Sequence, residues 1–374
     1  MEQVRIRAAE RPSILYWTLL WASGVVFVLL AALHDFLSPA DLTPPGRDFA
    51  NLYAAGKLML SGEASQAFHV ESFRLAILRA TDTLTVQNYS YPPHALFIAA
   101  PFALLPYPAA FLAWSIAGAL FFYWAAKPSV SFAPWLAVLT PAAMLNFWTG
   151  HYGFLLGGLW LLYFRFLSSR PVLAGFVASA LTFKPHMGLF VGLSALSSPK
   201  ALVSAIAGTV ALFALSAWAF GMDCWALFFS NTFATQVAIL AGQSADFYFH
   251  LMPSAYVAFG RNAVSVVLHL TFAAAAICIL IRYRRIDPFV LATATFIVIP
   301  YVFAYDMTVA CLGFAVMLWR QWPALSQPHR LILSAALVSP ILTIVLAPLV
   351  PPILLAALYV QTRGAPHESL AFEE

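Results

Sequence analysis

The chain has 374 residues, of which 62% are hydrophobic and only 9% charged, with a net charge of +4. A soluble domain carries about 25% charged residues, and so few charges cannot cover the surface of a soluble protein of this size. The apolar stretches are too many and too long for one buried core, so the chain is a polytopic membrane protein with much apolar surface facing lipid. The positive balance reads as basic residues at helix ends and assigns no nucleic-acid partner. Cys224, Cys278 and Cys311 are widely spaced and show no metal or redox pattern.

Arg5, Arg7 and Arg11 precede an apolar run from Ile14 to Leu33. Basic flanks favour the cytoplasmic side, so this run is read as a first helix leading outward, retained rather than cleaved. Residues 34–90 form the least hydrophobic long stretch and hold six of the fifteen acids: Asp35, Asp41, Asp48, Glu63, Glu71 and Asp82. After a Pro-Pro-Gly turn at 44–46 come two helical patterns, roughly 48–61 and 66–80, too polar to span and suited to the interface.

Residues 83–222 contain no Asp or Glu, and apolar segments alternate with isolated basic residues. Placing Lys127, Arg165, Arg170, Lys200, Arg282, Arg284, Arg285, Arg320, Arg330 and Arg363 in the cytoplasm threads about 10–12 spans with both termini inside. Residues 92–125 are too long for one straight helix and are interrupted at Pro101, Pro106 and Pro108. Residues 171–198 are interrupted at Lys184-Pro185 and read as two short spans meeting at the outer face. Residues 221–261, with Asp223, Asn231, Gln236, Gln243, Asp246 and His250, form a second external loop. The expected fold is one all-α transmembrane domain over residues 1–374, with no internal repeat evident.

That threading uses only the basic residues, yet the polar outliers fall together on the outer side. They are Arg47-Asp48, Tyr91 to His94, Asn146 to His151, Lys184-Pro185-His186, His250 and Tyr305-Asp306. Ionisable residues in or beside membrane segments are costly and mark function. An extracytoplasmic cavity is the expected working site.

These residues also carry a resemblance. Arg47-Asp48-Phe49-Ala50-Asn51-Leu52-Tyr53-Ala54-Ala55-Gly56, Ser61-Gly62, Tyr91-Pro92-Pro93, Pro101 with Leu104-Leu105-Pro106, Leu145-Asn146, Gly150, Ala174-Gly175, Lys184-Pro185, Pro300 and Tyr305-Asp306 stand in order over residues 45–320. The pattern resembles the family 87 glycosyltransferases, GT-C-class membrane enzymes that include polyprenyl-phosphate-mannose-dependent mannosyltransferases. One departure is His151, where the pattern has Gln. The resemblance implies sugar transfer, mannose being the leading case. The donor is a polyprenyl-phosphate sugar entering from the bilayer, and the acceptor a lipid or glycan outside a bacterial inner membrane. It places the base at Asp48.

Asp48 stands just after a turn, so it reads as a general base or as a helix N-cap. Lys184 reads as a contact to the leaving phosphate or as a snorkelling lysine, with Arg47 and His186 as further phosphate contacts. Asp306 could orient a sugar hydroxyl, pair with Lys184 or cap a helix. Tyr91, His94, Asn146, His151 and His250 complete the candidate substrate contacts. No Asp-x-Asp or Glu-x-Asp occurs in the first external loop, so no metal or other cofactor is expected. A transporter or flippase is the competing reading, because broken helices and intramembrane charges suit both.

Overall fold

The computed structural model describes residues 11–37, 46–83, 87–241, 246–284 and 287–363. Asp41, the prolines of the turn at 44–46, Gln243, Arg5, Arg7 and Arg285 lie outside the described residues, as do the side chains of Asp35 and Asp246.

Every regular element among the described residues is a helix. In chain order they are α1 (Ile14–Leu37), α2 (Arg47–Leu60), α3 (Val70–Thr81), α4 (Leu96–Ala103), α5 (Tyr107–Ala126), α6 (Pro141–Thr149), α7 (Gly153–Leu167), α8 (Pro171–Ala180) and α9 (Leu189–Ala195). There follow α10 (Pro199–Phe220), α11 (Met222–Leu227), α12 (Phe233–Leu240), α13 (Ala255–Ala258), α14 (Ala263–Tyr283), α15 (Pro288–Val298), α16 (Thr308–Gln321), α17 (Gln327–Val345) and α18 (Val350–Arg363). Short 3-10 turns join many of them.

Five of these segments are long and apolar enough to cross a membrane: Ile14–His34, Tyr107–Ser129, Pro199–Phe220, Ala263–Tyr283 and Gln327–Val345. Each has 19–23 residues, or about 28–35 Å at 1.5 Å per residue, which matches a hydrocarbon core of about 30 Å. Shorter apolar helices run over Pro93–Ala103, Gly153–Leu167, Pro171–Phe183 and Pro288–Val298.

The long helices keep leucines, valines and isoleucines on open faces, such as Leu19, Leu29 and Leu30 on α1, Val203 and Val210 on α10, and Val267 and Leu270 on α14. Those faces suit lipid. The centre is filled by helices apolar all round: α15 buries every residue from Pro288 to Ile297, and α16 every residue from Thr308 to Leu318. Lipid tails give helices no hydrophobic drive to associate, so close contact relies on small residues. A Cβ on Gly175 of α8 would run into the Ser204 side chain and the Ala201 carbonyl of α10, so glycine sets that approach.

Both proline-rich stretches break, but Pro101 is accommodated inside α4 and does not interrupt it. A 3-10 turn at Pro93–Ala95 and the short α4 lead to a break at Leu104–Pro106, and Pro108 lies in the first turn of α5. At Lys184-Pro185 the chain passes from α8 through two 3-10 turns into α9. With ten and seven residues, α8 and α9 are each well short of about 30 Å, so they are half-helices rather than full spans.

The break at Lys184 sits near three other helix ends: His151 precedes α7, Tyr301 follows α15 and Tyr305 precedes α16. Of the helices that meet here, α7, α8 and α16 carry Arg165, Arg170 and Arg320 at or next to their opposite ends, and Arg284 caps α14 shortly before α15 begins.

A candidate active site

These helix ends surround a cavity of about 430 Å³. Arg47, Asp48 and Asn51 of α2, Gln87, Asn88, Ser90 and Tyr91, His151, Phe183 to His186, and Tyr301, Phe303 and Tyr305 line it. Its remaining wall is the segment from Phe228 to Leu240, where a π-helical turn at Phe228–Thr232 runs into α12.

Asp48 is not the cap of its helix. The N-cap of α2 is Gly46, in the left-handed region at φ 67°, where its missing Cβ also leaves room for the Phe111 ring. Asp48 thus lies in the first turn, next to the partial positive charge of the helix N-terminus. Its Oδ1 accepts from Gln87 Nε2 at 3.2 Å and lies 3.8 Å from Arg47 Nε. Its Oδ2 is buried without a hydrogen-bond partner. Burial pushes the Asp48 carboxyl above the usual carboxylate range, and the Arg47 charge pulls against it. A carboxylate held this way, with one oxygen uncommitted, is equipped to take a proton.

Of the three readings of Asp306, the structure takes the ion pair. Lys184 Nζ lies 2.5 Å from Asp306 Oδ2, with the two side chains 3% and 0% exposed. The Lys184 ammonium also sits 5.6 Å from the ring centres of Phe303 and Tyr305. Lys184 therefore does not snorkel. It is a buried cation at the cavity wall, tied to the segment before α16.

His151 extends this pair. Its Nδ1 is 3.7 Å from Asp306 Oδ1, its Nε2 is 2.6 Å from the Tyr91 hydroxyl, and its ring stacks on Tyr305 at 4.1 Å. Burial, aided by the Lys184 and Arg47 charges, holds its pKa well below the ordinary histidine value. The neutral ring offers Nε2 as an acceptor for a hydrogen bond from the Tyr91 hydroxyl, while Nδ1 faces Asp306. His186 lines the cavity edge-on to Tyr301 at 5.6 Å, and its Nε2 is buried without a partner.

Four expected contacts do not line the cavity: Asp306, held behind the wall by Lys184, and Asn146, His94 and His250. Asn146 Oδ1 accepts the Gly153 N–H at 2.8 Å, so its amide closes the turn from α6 to α7. His94 is buried beside α11 and the 3-10 turn that follows α8, with Nε2 3.2 Å from Thr182 Oγ1 and its ring stacked on Trp225 at 5.9 Å. His250 is exposed in the 3-10 turn Asp246–Leu251.

The sequence reading also overlooked part of the lining. Asn51, Gln87 and Asn88 are neutral amides with no motif of their own, although Asn51 follows Asp48 by one helical turn. The segment 228–240 reads as a loop because its faces are mixed. Phe228, Phe229, Phe233, Val237 and Leu240 look into the cavity, whereas Ser230, Asn231, Ala234 and Thr235 line a separate polar groove with Gln66 and His69. Among the described residues no three His, Cys, Asp or Glu side chains converge to hold a metal ion.

The site thus offers a carboxylate, a paired buried cation and an apolar wall around a space of small-molecule size. The sequence model of glycosyltransferase family 87 matches residues 89–304, more than half of the chain. That match begins after Asp48 and takes in Tyr91, His151 and Lys184. No curated protein matches the chain, and no solved structure matches it. On that match, the chain belongs to glycosyltransferase family 87.

Proposed function

We propose that this membrane glycosyltransferase transfers a hexose, mannose the leading case, from a polyprenyl-phosphate donor to a lipid or glycan acceptor. In this reading it is a metal-independent GT-C-class enzyme of the cell inner membrane, and its cavity faces the periplasm. One observation carries the reading: a single cavity joins Asp48, Arg47, Lys184 and an apolar wall that is also open to the surroundings. In that wall Phe229, Phe233 and Val237 are 63%, 69% and 52% exposed. An isoprenoid chain could lie against them while its phosphate reaches the cations.

The acceptor hydroxyl gives its proton to Asp48 Oδ2 as its oxygen bonds to the anomeric carbon. The bond from that carbon to the phosphate oxygen breaks, and the electron pair leaves with the polyprenyl phosphate. Lys184 and Arg47 favour the charge that grows on the phosphate. His186, with its uncommitted Nε2, stands where it can contact the same group. Sidedness is supported by the remote helix ends that carry Arg165, Arg170, Arg284 and Arg320, since basic ends favour the cytoplasm. Broken helices alone suit a transporter equally well, and family membership favours the transferase.

The test is sugar transfer in nanodiscs from radiolabelled polyprenyl-phosphate sugars. Asp48→Asn keeps an oxygen for Gln87 and should slow transfer by about 10²–10⁴-fold, and Lys184→Ala should slow it as well. Wild-type rates in a folded Asp48→Asn protein would remove Asp48 from the base role. Reporter fusions at residues 61–63 test the side, and a cytoplasmic signal there rules out a periplasmic site.

A further inference from the structure

The cavity wall beside Asp48 is built of amides. Asn51 follows Asp48 by three residues, so the two project from one face of α2. Gln87 Nε2 bonds both Asp48 Oδ1 and the Arg47 carbonyl, at 3.2 and 3.0 Å. Asn51 Nδ2 donates to the Asn88 carbonyl at 2.8 Å, which fixes the orientation of the Asn51 amide. Two atoms are then left over: Asn51 Oδ1, an acceptor, and Asn88 Nδ2, a donor, both buried without a partner. Their residues are only 9% and 7% exposed, and both line the cavity.

Burying a polar atom with no partner is destabilising, and folded proteins keep few such atoms. Nothing among the described residues answers these two. An acceptor and a donor next to a base are complementary to neighbouring hydroxyls, since each hydroxyl can both give and receive. A sugar ring supplies such a set. A simple lipid alcohol has a single hydroxyl, which the base would occupy. The cations proposed for the donor phosphate, Lys184 and Arg47, are not part of this amide pair.

We propose that Asn51 and Asn88 form the acceptor subsite and hold a sugar residue through hydroxyls adjacent to the one that reacts. The acceptor is then a glycan or a glycolipid head, not a plain lipid alcohol. This rests on Asp48 as the base.

Binding tests it without any donor. Methyl mannopyranoside, glucopyranoside and galactopyranoside, with cyclohexanol as the single-hydroxyl control, are titrated against the full-length protein in nanodiscs by saturation-transfer NMR. At least one glycoside should bind and cyclohexanol should not. Asn88→Ala should weaken that glycoside about tenfold. Removing one ring hydroxyl from the glycoside should weaken binding to the wild type by a similar factor, and the two losses should not add. If Asn88→Ala does not fold, the deoxy series on the wild type decides alone. No glycoside binding, cyclohexanol binding as well as the glycosides, or indifference to every deoxy position overturns the proposal. Release of polyprenyl phosphate separates the two readings. Donor turnover without glycoside binding defeats the acceptor subsite alone. Glycoside binding without turnover of any polyprenyl-phosphate sugar defeats the donor reading alone.

Discussion

Lys184 and Asp306 meet across 122 positions of sequence and tie the break between α8 and α9 to the segment that leads into α16. Both are buried, so each charge is tolerable only in the presence of the other.

Removing one partner should therefore cost more than removing both. Asp306→Asn leaves the Lys184 ammonium buried without a counter-charge and should destabilise the protein by about 3–5 kcal/mol. Adding Lys184→Met should recover a large part of that stability while leaving transfer abolished. Thermal unfolding in detergent checks the first outcome and the transfer assay the second. A double variant no more stable than Asp306→Asn would show that the pair does not act as a unit.

The pH profile follows from Asp48. Only the ionised carboxylate can take a proton, so activity falls as pH drops through its pKa. Burial raises that pKa, which places the acid limb above the ordinary carboxylate range, and the Arg47 charge opposes the rise. Arg47→Gln removes the opposition, so the acid limb should move to higher pH. Transfer rates across a pH series for the two proteins read this directly, and a limb that stays put or moves to lower pH contradicts it.

Tyr91 and His151 should couple. Tyr91→Phe leaves His151 Nε2 buried without its 2.6 Å partner, at a cost of about 1–3 kcal/mol. In a His151→Leu background the same change should cost much less. A double-mutant cycle by thermal unfolding measures the difference, and strictly additive losses would argue against the bond.

Two glycines should respond in opposite ways. In Gly175→Ala the new Cβ meets Ser204 and the Ala201 backbone across the α8–α10 contact, and stability should fall by about 1–3 kcal/mol. In Gly192→Ala, inside α9, the new Cβ meets nothing within 4 Å. Alanine favours the helix by about 0.5–1 kcal/mol, so this variant should be as stable as wild type or more so. Unfolding midpoints rank the two, and the reverse order would refute the packing described here.

Much of this was legible in the sequence because membranes penalise charge. Lys184 and Asp306 stand out in apolar surroundings, and the prolines at 106 and 185 mark where helices break, whereas Pro101 lies inside α4. The partnership of Lys184 with Asp306 was only one of several readings, since nothing in a sequence aligns two residues so far apart. Asn146 and His94 were as conspicuous as His151, yet one closes a turn and the other packs on Trp225. Residue type marks a costly group, whereas its partner is set by packing. The amides at 51, 87 and 88 escaped notice for the converse reason: neutral polar side chains next to a turn are unremarkable until their unpaired atoms are located. Segment 228–240 was hidden by its π-helical turn, which breaks the regular spacing by which a helix face is recognised.

The sequence distance between Lys184 and Asp306 also sets an order of events during synthesis. At roughly 5–20 residues per second, the lysine leaves the ribosome on the order of ten seconds before the aspartate that neutralises it. Throughout that interval the half-helices α8 and α9 carry an uncompensated charge, and they can settle only once the chain has been made through α16. Nascent chains that stop short of residue 306 should accordingly be held by the insertion machinery or degraded, while chains extended past α16 become stable.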